Sequence, residues 1–108
     1  MRPGRAGDAG AAYNPAMTEI VVRIPAPLQE FAGGERELRA AAGTVADVLR
    51  ELSARYPLLV QRVVTPEGDL RPFVNVFVGR ANVRRLSGLA TAVAAGEVVS
   101  ILPAVAGG

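Results

Sequence analysis

The chemistry-bearing part of this sequence is its C-terminus, where Gly107 and Gly108 follow the apolar run 98–106. Neither glycine has a side chain, and both accept backbone angles that other residues avoid, so the terminal carboxylate stands on a thin, flexible stalk. A stalk of this kind can enter the active site of another protein. Residues 103–108 would span about 20 Å when extended, which is enough to reach a buried pocket.

The side-chain composition excludes most other chemistry. The 108-residue chain contains no Cys, His or Trp, and all of its 12 basic residues are arginine. Zinc, copper and iron–sulfur sites use thiolate and imidazole ligands, so no metal is expected. Ser53, Ser87 and Ser100 have no histidine or lysine to act as a base, so we expect that the chain is not an enzyme by itself. The carboxylate of Gly108 is therefore the expected position of covalent chemistry.

The charge pattern favours neither nucleic acid nor membrane as a partner. The formal net charge is +2, and the arginines are spread along the chain among ten acidic residues. Only Arg84 and Arg85 are adjacent, which predicts a solvated surface pair rather than a basic stripe. No segment approaches the roughly 20 apolar residues of a membrane span, and the N-terminus lacks the apolar core of a signal peptide. We expect a cytoplasmic protein.

The composition divides the chain into three parts. Residues 1–16 are rich in Gly, Ala and Pro without hydrophobic periodicity, so they are predicted to be a disordered lead, and Met17 is a candidate start. Residues 17–102 are predicted to form one domain. Residues 103–108 are predicted to be a flexible tail that ends in the diglycine.

Hydrophobic periodicity predicts strands around a single main helix. The run Phe73–Val78 is the strongest strand signal, and Thr44 is a good N-cap for a helix with apolar residues at helical spacing. The composition of 35–41 would suit a helix as well as a strand. In the first half of the chain we predict a strand at 20–24, a loop at 25–34 that turns at Gly33–Gly34, a strand at 35–41 and a helix at 45–56. A helical turn at 58–64, a turn at 65–69 and a strand at 73–78 are predicted to follow. The chain is then predicted to form a short strand beginning at Val83, an irregular crossover at 86–93, a turn at 95–97 and a last strand at 98–102 ended by Pro103.

This order of elements predicts an α+β fold, a mixed sheet of four to five strands with one main helix packed on one face. One helix cannot cover both faces, so the other face is expected to be partly exposed. We expect it to dock a partner, although loops could cover it instead. Asn75, on this face, is expected to hydrogen-bond to neighbouring backbone. Strand alternation assigns to the face Val21, Arg23, Phe73, Asn75, Phe77, Val98, Ser100 and Leu102.

The chain resembles the ubiquitin-like sulfur-carrier family of the MoaD/ThiS type over about residues 18–108. The resemblance lies in the order of elements, in FVNVFVG at 73–79, in GLATAVAAGEVVSILPAVAGG at 88–108 and in the closing diglycine. It implies a ubiquitin-like β-grasp fold. The segments LATAVAAGE and LPAVAGG, taken together, are most similar to those of the carriers that supply sulfur for cysteine synthesis. The lead at 1–16 has no counterpart in the family, and the lack of lysine departs from it.

The resemblance also implies a function. An E1-like adenylating and sulfurtransferase enzyme would use ATP to adenylate the Gly108 carboxylate and convert it to a thiocarboxylate, with no cofactor bound to the chain itself. The implied partners include a sulfur-accepting synthase, such as a cysteine-synthase-like enzyme, and a metallopeptidase that frees the new amino acid. The free chain is expected to be a monomer. The tail that partners would recognise comprises Pro103, Ala104, Val105, Ala106 and Gly107.

Several recipients and roles remain open at this point. The same tail would suit the small subunit of molybdopterin synthase, or a carrier of sulfur for thiamine or for a secondary metabolite. A different class is a ubiquitin-like modifier that forms isopeptide bonds with other proteins. A third class is a β-grasp interaction module whose tail does no chemistry.

Overall fold

The computed structural model describes residues 18–103, in which short strands alternate with one long and several short helical segments. The α-helices are α1, Val45–Arg55, and α2, Pro57–Gln61, and 3-10 helices lie at Ala26–Ala32, Val83–Arg85 and Gly88–Ala90. The strands are β1, Glu19–Arg23; β2, Glu37–Ala41; β3, Gly43–Thr44; β4, Val74–Val78; β5, Ala81–Asn82; β6, Ala92–Val93; and β7, Val98–Pro103.

Five of these strands form one mixed sheet in the order β2-β1-β7-β4-β5. β7 is the central strand, parallel to β1 and antiparallel to β4. The predicted mixed sheet with a main helix is confirmed. A second sheet, in which β3 pairs with β6, was not predicted, because two-residue strands are too short to show an alternating pattern.

The core lies between the helices and one face of the five-stranded sheet. Alternate residues of each long strand are buried against α1 and α2, which matches the period of two in an extended chain. The largest fully buried side chains are Ile20, Val22, Val45, Val48, Leu52, Leu59, Val63, Val76, Val83, Val99 and Ile101.

The helix α1 begins at a capping box. The hydroxyl of Thr44 accepts a hydrogen bond from the backbone N–H of Asp47 at 3.1 Å, and the Asp47 carboxylate accepts one from the N–H of Thr44 at 3.0 Å. The pKa of Asp47 is lowered to about 2. The hydrogen bond from the N–H of Thr44 is the largest cause, and the bond from Arg50 at 2.8 Å is the second. The helix ends before Pro57, since a residue that precedes proline is disfavoured in helical geometry. The predicted helix is confirmed.

Two segments differ from the prediction, one predicted as a loop and one as a short strand. Residues 25–34 contain a 3-10 helix that buries Leu28 and Ala32, and they turn at Gly33 and Gly34 with φ of 66° and 83°. Val83 does not begin a strand: the strand precedes it, because the Asn82 side chain accepts a hydrogen bond from the N–H of Arg84 and starts a 3-10 turn.

The predicted lead at 1–16 lies outside the described residues, as do residues 104–108. Among residues 18–103, no helix is both long and apolar enough to cross a membrane.

Candidate functional site

The tail leaves the domain from the central strand of the sheet. Near the end of β7, Leu102 lies opposite Asn75 and Pro103 lies opposite Val74. The preceding residue, Ile101, is only 1% exposed and anchors the strand in the core. The base of the tail is therefore held by core packing and by pairing with β4.

Pro103 was predicted to end the strand at Leu102 and to belong to the flexible tail, and this prediction is wrong. Pro103 is the last residue of β7. A proline cannot donate a ladder hydrogen bond, but it is tolerated at the margin of a sheet where no donor is needed. The other predicted tail residues, Ala104, Val105, Ala106, Gly107 and Gly108, lie outside the described residues.

The sheet face that turns away from α1 is open, and six of the eight residues that alternation assigned to it lie on β4 and β7 or directly before β4. Phe73 is 75% exposed and Leu102 is 47% exposed, so two large apolar side chains lie at the surface near the base of the tail. Phe73 lies one residue before β4 rather than within it, which corrects the predicted start of that strand. Asn75, Phe77, Val98 and Ser100 are half-buried on the same face. We call this set the open face: Phe73, Asn75, Phe77, Val98, Ser100 and Leu102.

Strand register shows that the sheet face away from α1 has an apolar half, which contains the open face, and a charged half. Phe77 and Arg23 flank Ser100 from its two neighbouring strands. Towards β4 the surface is apolar, with Phe73 and Leu102 at the end where the tail begins. Towards β2 it is charged, with Arg23 3.6 Å from Glu37. The apolar half adjoins the base of the tail, so a protein that receives the tail would also meet this surface.

Asn75 was expected to bond to neighbouring backbone, but its side chain bonds to other side chains. Its Oδ1 accepts hydrogen bonds from Nδ2 of Asn82 at 3.2 Å and from Nε of Arg84 at 3.3 Å. Both donors come from the segment that follows β4, which folds back beside it. Asn75 thus links the open face to this segment.

Arg84 was predicted to be half of a solvated surface pair, and both Arg84 and Arg85 are exposed, but Arg84 is also bonded to the fold. Its guanidinium group donates to the backbone carbonyls of Arg71 at 2.6 Å and of Val74 at 2.7 Å. These bonds fix the start of β4, where Val74 faces Pro103. No periodic signal marks this residue, because its acceptors lie 10 and 13 positions away in the sequence.

Within residues 18–103, no group of three or more acidic, histidine or cysteine side chains could hold a metal ion. Residues 18–103 offer an exposed apolar surface and an anchored strand that leads to the tail. The reactive group expected from the sequence, the Gly108 carboxylate, belongs to the tail itself.

The sequence pattern of the ThiS family matches residues 22–108. The chain belongs to the ThiS family. The predicted membership among ubiquitin-like sulfur carriers is therefore confirmed. The ThiS match extends through the tail to Gly108, so it includes the residue on which the expected chemistry depends.

Relatives support this assignment in sequence and in structure. Sulfur carrier protein CysO from Mycobacterium tuberculosis is 42% identical over 91 residues, which cover 82% of this chain and 98% of the relative. The crystal structure of the Amycolatopsis orientalis BexX/CysO complex contains a chain that matches with a TM-score of 0.77 at 37% identity, covering 82% of this chain and 99% of that one. The predicted β-grasp fold is confirmed.

One relative has a name that points to another role. Small archaeal modifier protein 3 from Haloferax volcanii is 46% identical over 65 residues, which cover 60% of this ThiS-family chain and 70% of the relative.

Proposed function

We propose that this chain is a sulfur carrier that bears sulfur as a thiocarboxylate on Gly108 and donates it to the biosynthesis of cysteine. The observation that carries the proposal is the ThiS-family match, which continues to the terminal diglycine. The 42% identity to a named sulfur carrier over nearly the whole length of that relative supports it.

The absence of cysteine does not prevent the chain from carrying sulfur, because sulfur can replace an oxygen of the terminal carboxylate. A carboxylate is a poor electrophile, so it must first gain a leaving group. Attack of the Gly108 carboxylate on the α-phosphorus of ATP would give an acyl adenylate and release pyrophosphate. A hydrosulfide equivalent would then displace AMP, forming the C–S bond and leaving an ionised thiocarboxylate, whose polarisable sulfur is a good nucleophile.

Partners would supply the catalysis. The chain would act as a co-substrate of an E1-like activating enzyme, which binds the ATP, and of a cysteine-synthase-like enzyme, which accepts the sulfur. A metallopeptidase would then release the new amino acid from Gly108. Since activation consumes ATP, we place the chain in the cytoplasm. The BexX/CysO complex is consistent with a carrier that docks on a second protein.

The open face and the tail would have separate roles in this process. The open face would bind the partner, and residues 104–108 would pass through a channel into its active site. Glycines at the last two positions keep the chain narrow there, because a side chain would widen it.

The substitution Gly108→Ala tests this proposal. We expect the variant to lose about tenfold to a hundredfold in kcat/KM for adenylation, since a small displacement at a reacting centre has effects of this size. ATP–pyrophosphate exchange catalysed by the activating enzyme from the same cell measures this step. Gly10→Ala makes the same chemical change in the lead and should match the wild type. Equal activity of all three chains would contradict the role assigned to Gly108.

The similarity to a small archaeal modifier protein favours a second candidate function. In that role the activated Gly108 would form an isopeptide bond with a lysine of another protein. This chain has no lysine, so it could not be extended through its own side chains. Mass spectrometry that finds Gly108 joined to lysines of cellular proteins would support the modifier role. Thiocarboxylate without such conjugates would support the carrier role alone.

A further inference from the structure

The two edges of the five-stranded sheet differ in charge. Between residues 70 and 96 the sequence contains four arginines and no acidic residue, and this segment includes β4 and β5. At the opposite edge, charges of both signs alternate, with Arg23 beside Glu37 and Arg39 beside Glu19, each pair at 3.6 Å. The segment 70–96, with β4 and β5, therefore carries only positive side chains, whereas the edge formed by β1 and β2 carries both signs.

Two of the four arginines are engaged in the fold. Nε of Arg71 donates to the carbonyl of Gln61 at 2.7 Å, and Arg84 holds the start of β4. Arg80 and Arg85 are both exposed, and within residues 18–103 neither side chain takes part in an ion pair or a hydrogen bond. These two guanidinium groups are available to a partner.

Arg80 and Arg85 lie beside an aromatic side chain of the open face. Together with Ala81 and Asn82 they line an open groove next to the half-buried ring of Phe77. A partner could place an apolar side chain on Phe77 while its carboxylates accept hydrogen bonds from the two guanidinium groups. Arginine suits this contact because its planar donors bind a carboxylate in pairs.

We propose that the activating enzyme docks on the open face with an acidic surface, whose carboxylates contact Arg80 and Arg85. This inference rests on the proposed function, because it describes the enzyme that activates Gly108. The activating enzyme is the partner required by both the carrier role and the modifier role. Charge complementarity with the positive edge identifies the chemistry of its surface.

The geometry also fixes the orientation of the enzyme. β4 runs from Val74, at the base of the tail, to Val78, which corresponds to roughly 13 Å of strand, and Arg80 lies in the turn that follows. A standard interface of about 800 Å² on each partner is wide enough to cover this distance. The acidic surface should therefore lie roughly 15 Å from the channel that receives the tail, slightly more than the length of β4. The apolar contacts with Phe73 and Leu102 should lie close to that channel, at the end of β4 that is farther from the acidic surface.

Charge reversal in the double variant Arg80→Glu/Arg85→Glu tests this inference. ATP–pyrophosphate exchange is measured with the activating enzyme from the same cell at increasing NaCl concentration. At low salt we expect kcat/KM to fall by about tenfold or more while kcat at saturation stays near the wild-type value, because surface charges act mainly on encounter. The decline of kcat/KM with salt, expected for the wild type, should be absent in the variant.

Two further variants control this experiment. Arg36→Glu/Arg39→Glu makes the same change in net charge at the balanced edge and should retain the wild-type kcat/KM. Arg80→Gln/Arg85→Gln removes the charges without reversing them and should give an intermediate loss. It also keeps the test valid if circular dichroism shows that the charge-reversed chain is unfolded.

The outcomes separate this inference from the proposed function. Exchange that is equally efficient with the wild type and with both Arg80/Arg85 variants would overturn the acidic docking surface and leave the carrier role standing. An equal loss in the Arg36/Arg39 control would do the same. No exchange with the wild-type chain would overturn both. Unchanged exchange combined with lost binding of a single-stranded RNA probe would assign the positive edge to nucleic acid instead.

Discussion

At the scale of single residues, the hydrogen bonds of Arg84 hold the start of β4, the strand that pairs with the end of β7. Its guanidinium group bonds to the carbonyls of Arg71 and Val74, and Val74 lies opposite Pro103. β5 is too short to pair with this part of β4, since it pairs only with Phe77 and Val78. Arg84 thus binds backbone carbonyls at the start of β4 that no neighbouring strand on this side pairs with.

We predict that Arg84→Ala lowers the free energy of unfolding by about 1–3 kcal/mol, because two backbone carbonyls lose charge-assisted hydrogen bonds. Urea denaturation followed by circular dichroism measures the change. The neighbouring Arg85→Ala, which removes no bond within residues 18–103, should stay within about 0.5 kcal/mol of the wild type. Equal effects of the two substitutions would show that Arg84 is only a surface residue.

At the scale of elements, the capping box of α1 predicts a dependence of stability on pH. The bond from the N–H of Thr44, together with Arg50, lowers the pKa of Asp47 to about 2 in the folded chain, below its ordinary value of 3.8. A carboxylate with a lowered pKa stabilises the fold above its unfolded pKa, and this contribution is lost as pH falls through the folded pKa.

We predict that Asp47→Asn is less stable than the wild type at neutral pH, and that the difference disappears between about pH 4 and pH 2. Thermal denaturation at a series of pH values measures the difference. Glu67→Gln, in the turn at 65–69, is the control and should show no such trend. A difference between Asp47→Asn and the wild type that persisted below pH 2 would contradict the assigned cause.

The elements also show what sequence can and cannot predict. α1 and β4 were predicted because their signals are local: Thr44 and Asp47 cap the helix, and alternate valines from Val74 to Val78 face the core. The 3-10 helix at 26–32 and the bonds of Arg84 were missed because they depend on contacts that are distant in sequence. The open face was predicted by alternation alone, whereas the role of Asn75 within it required the positions of Asn82 and Arg84.

At the scale of the whole molecule, the two faces of the sheet differ in burial. One face packs against the helices and supplies stability. The other remains open and leads along β7 to the tail. Adjacent residues of β7 belong to opposite faces: Ile101 is 1% exposed and Leu102 is 47% exposed. Substitutions at these two positions can therefore separate an effect on stability from an effect on docking.

We predict that Ile101→Ala lowers the free energy of unfolding by about 2–5 kcal/mol, because it leaves a cavity in the core. Leu102→Ala should lower it by less than about 1 kcal/mol, but should raise KM for the activating enzyme by removing an apolar contact. Urea denaturation and ATP–pyrophosphate exchange measure the two effects. If Leu102→Ala weakened the fold without changing KM, the open face would not be the docking surface.

The most direct test of the central claim is the intact mass of the chain purified from its native cell, with fragmentation to locate any change. The measurement is repeated on the chain after incubation with ATP, the activating enzyme and a hydrosulfide donor. We predict a mass increase equal to the exchange of one oxygen for sulfur, located at Gly108. If the terminus remained an unmodified carboxylate both in the cell and after incubation, the assignment of this chain as a sulfur carrier would be contradicted.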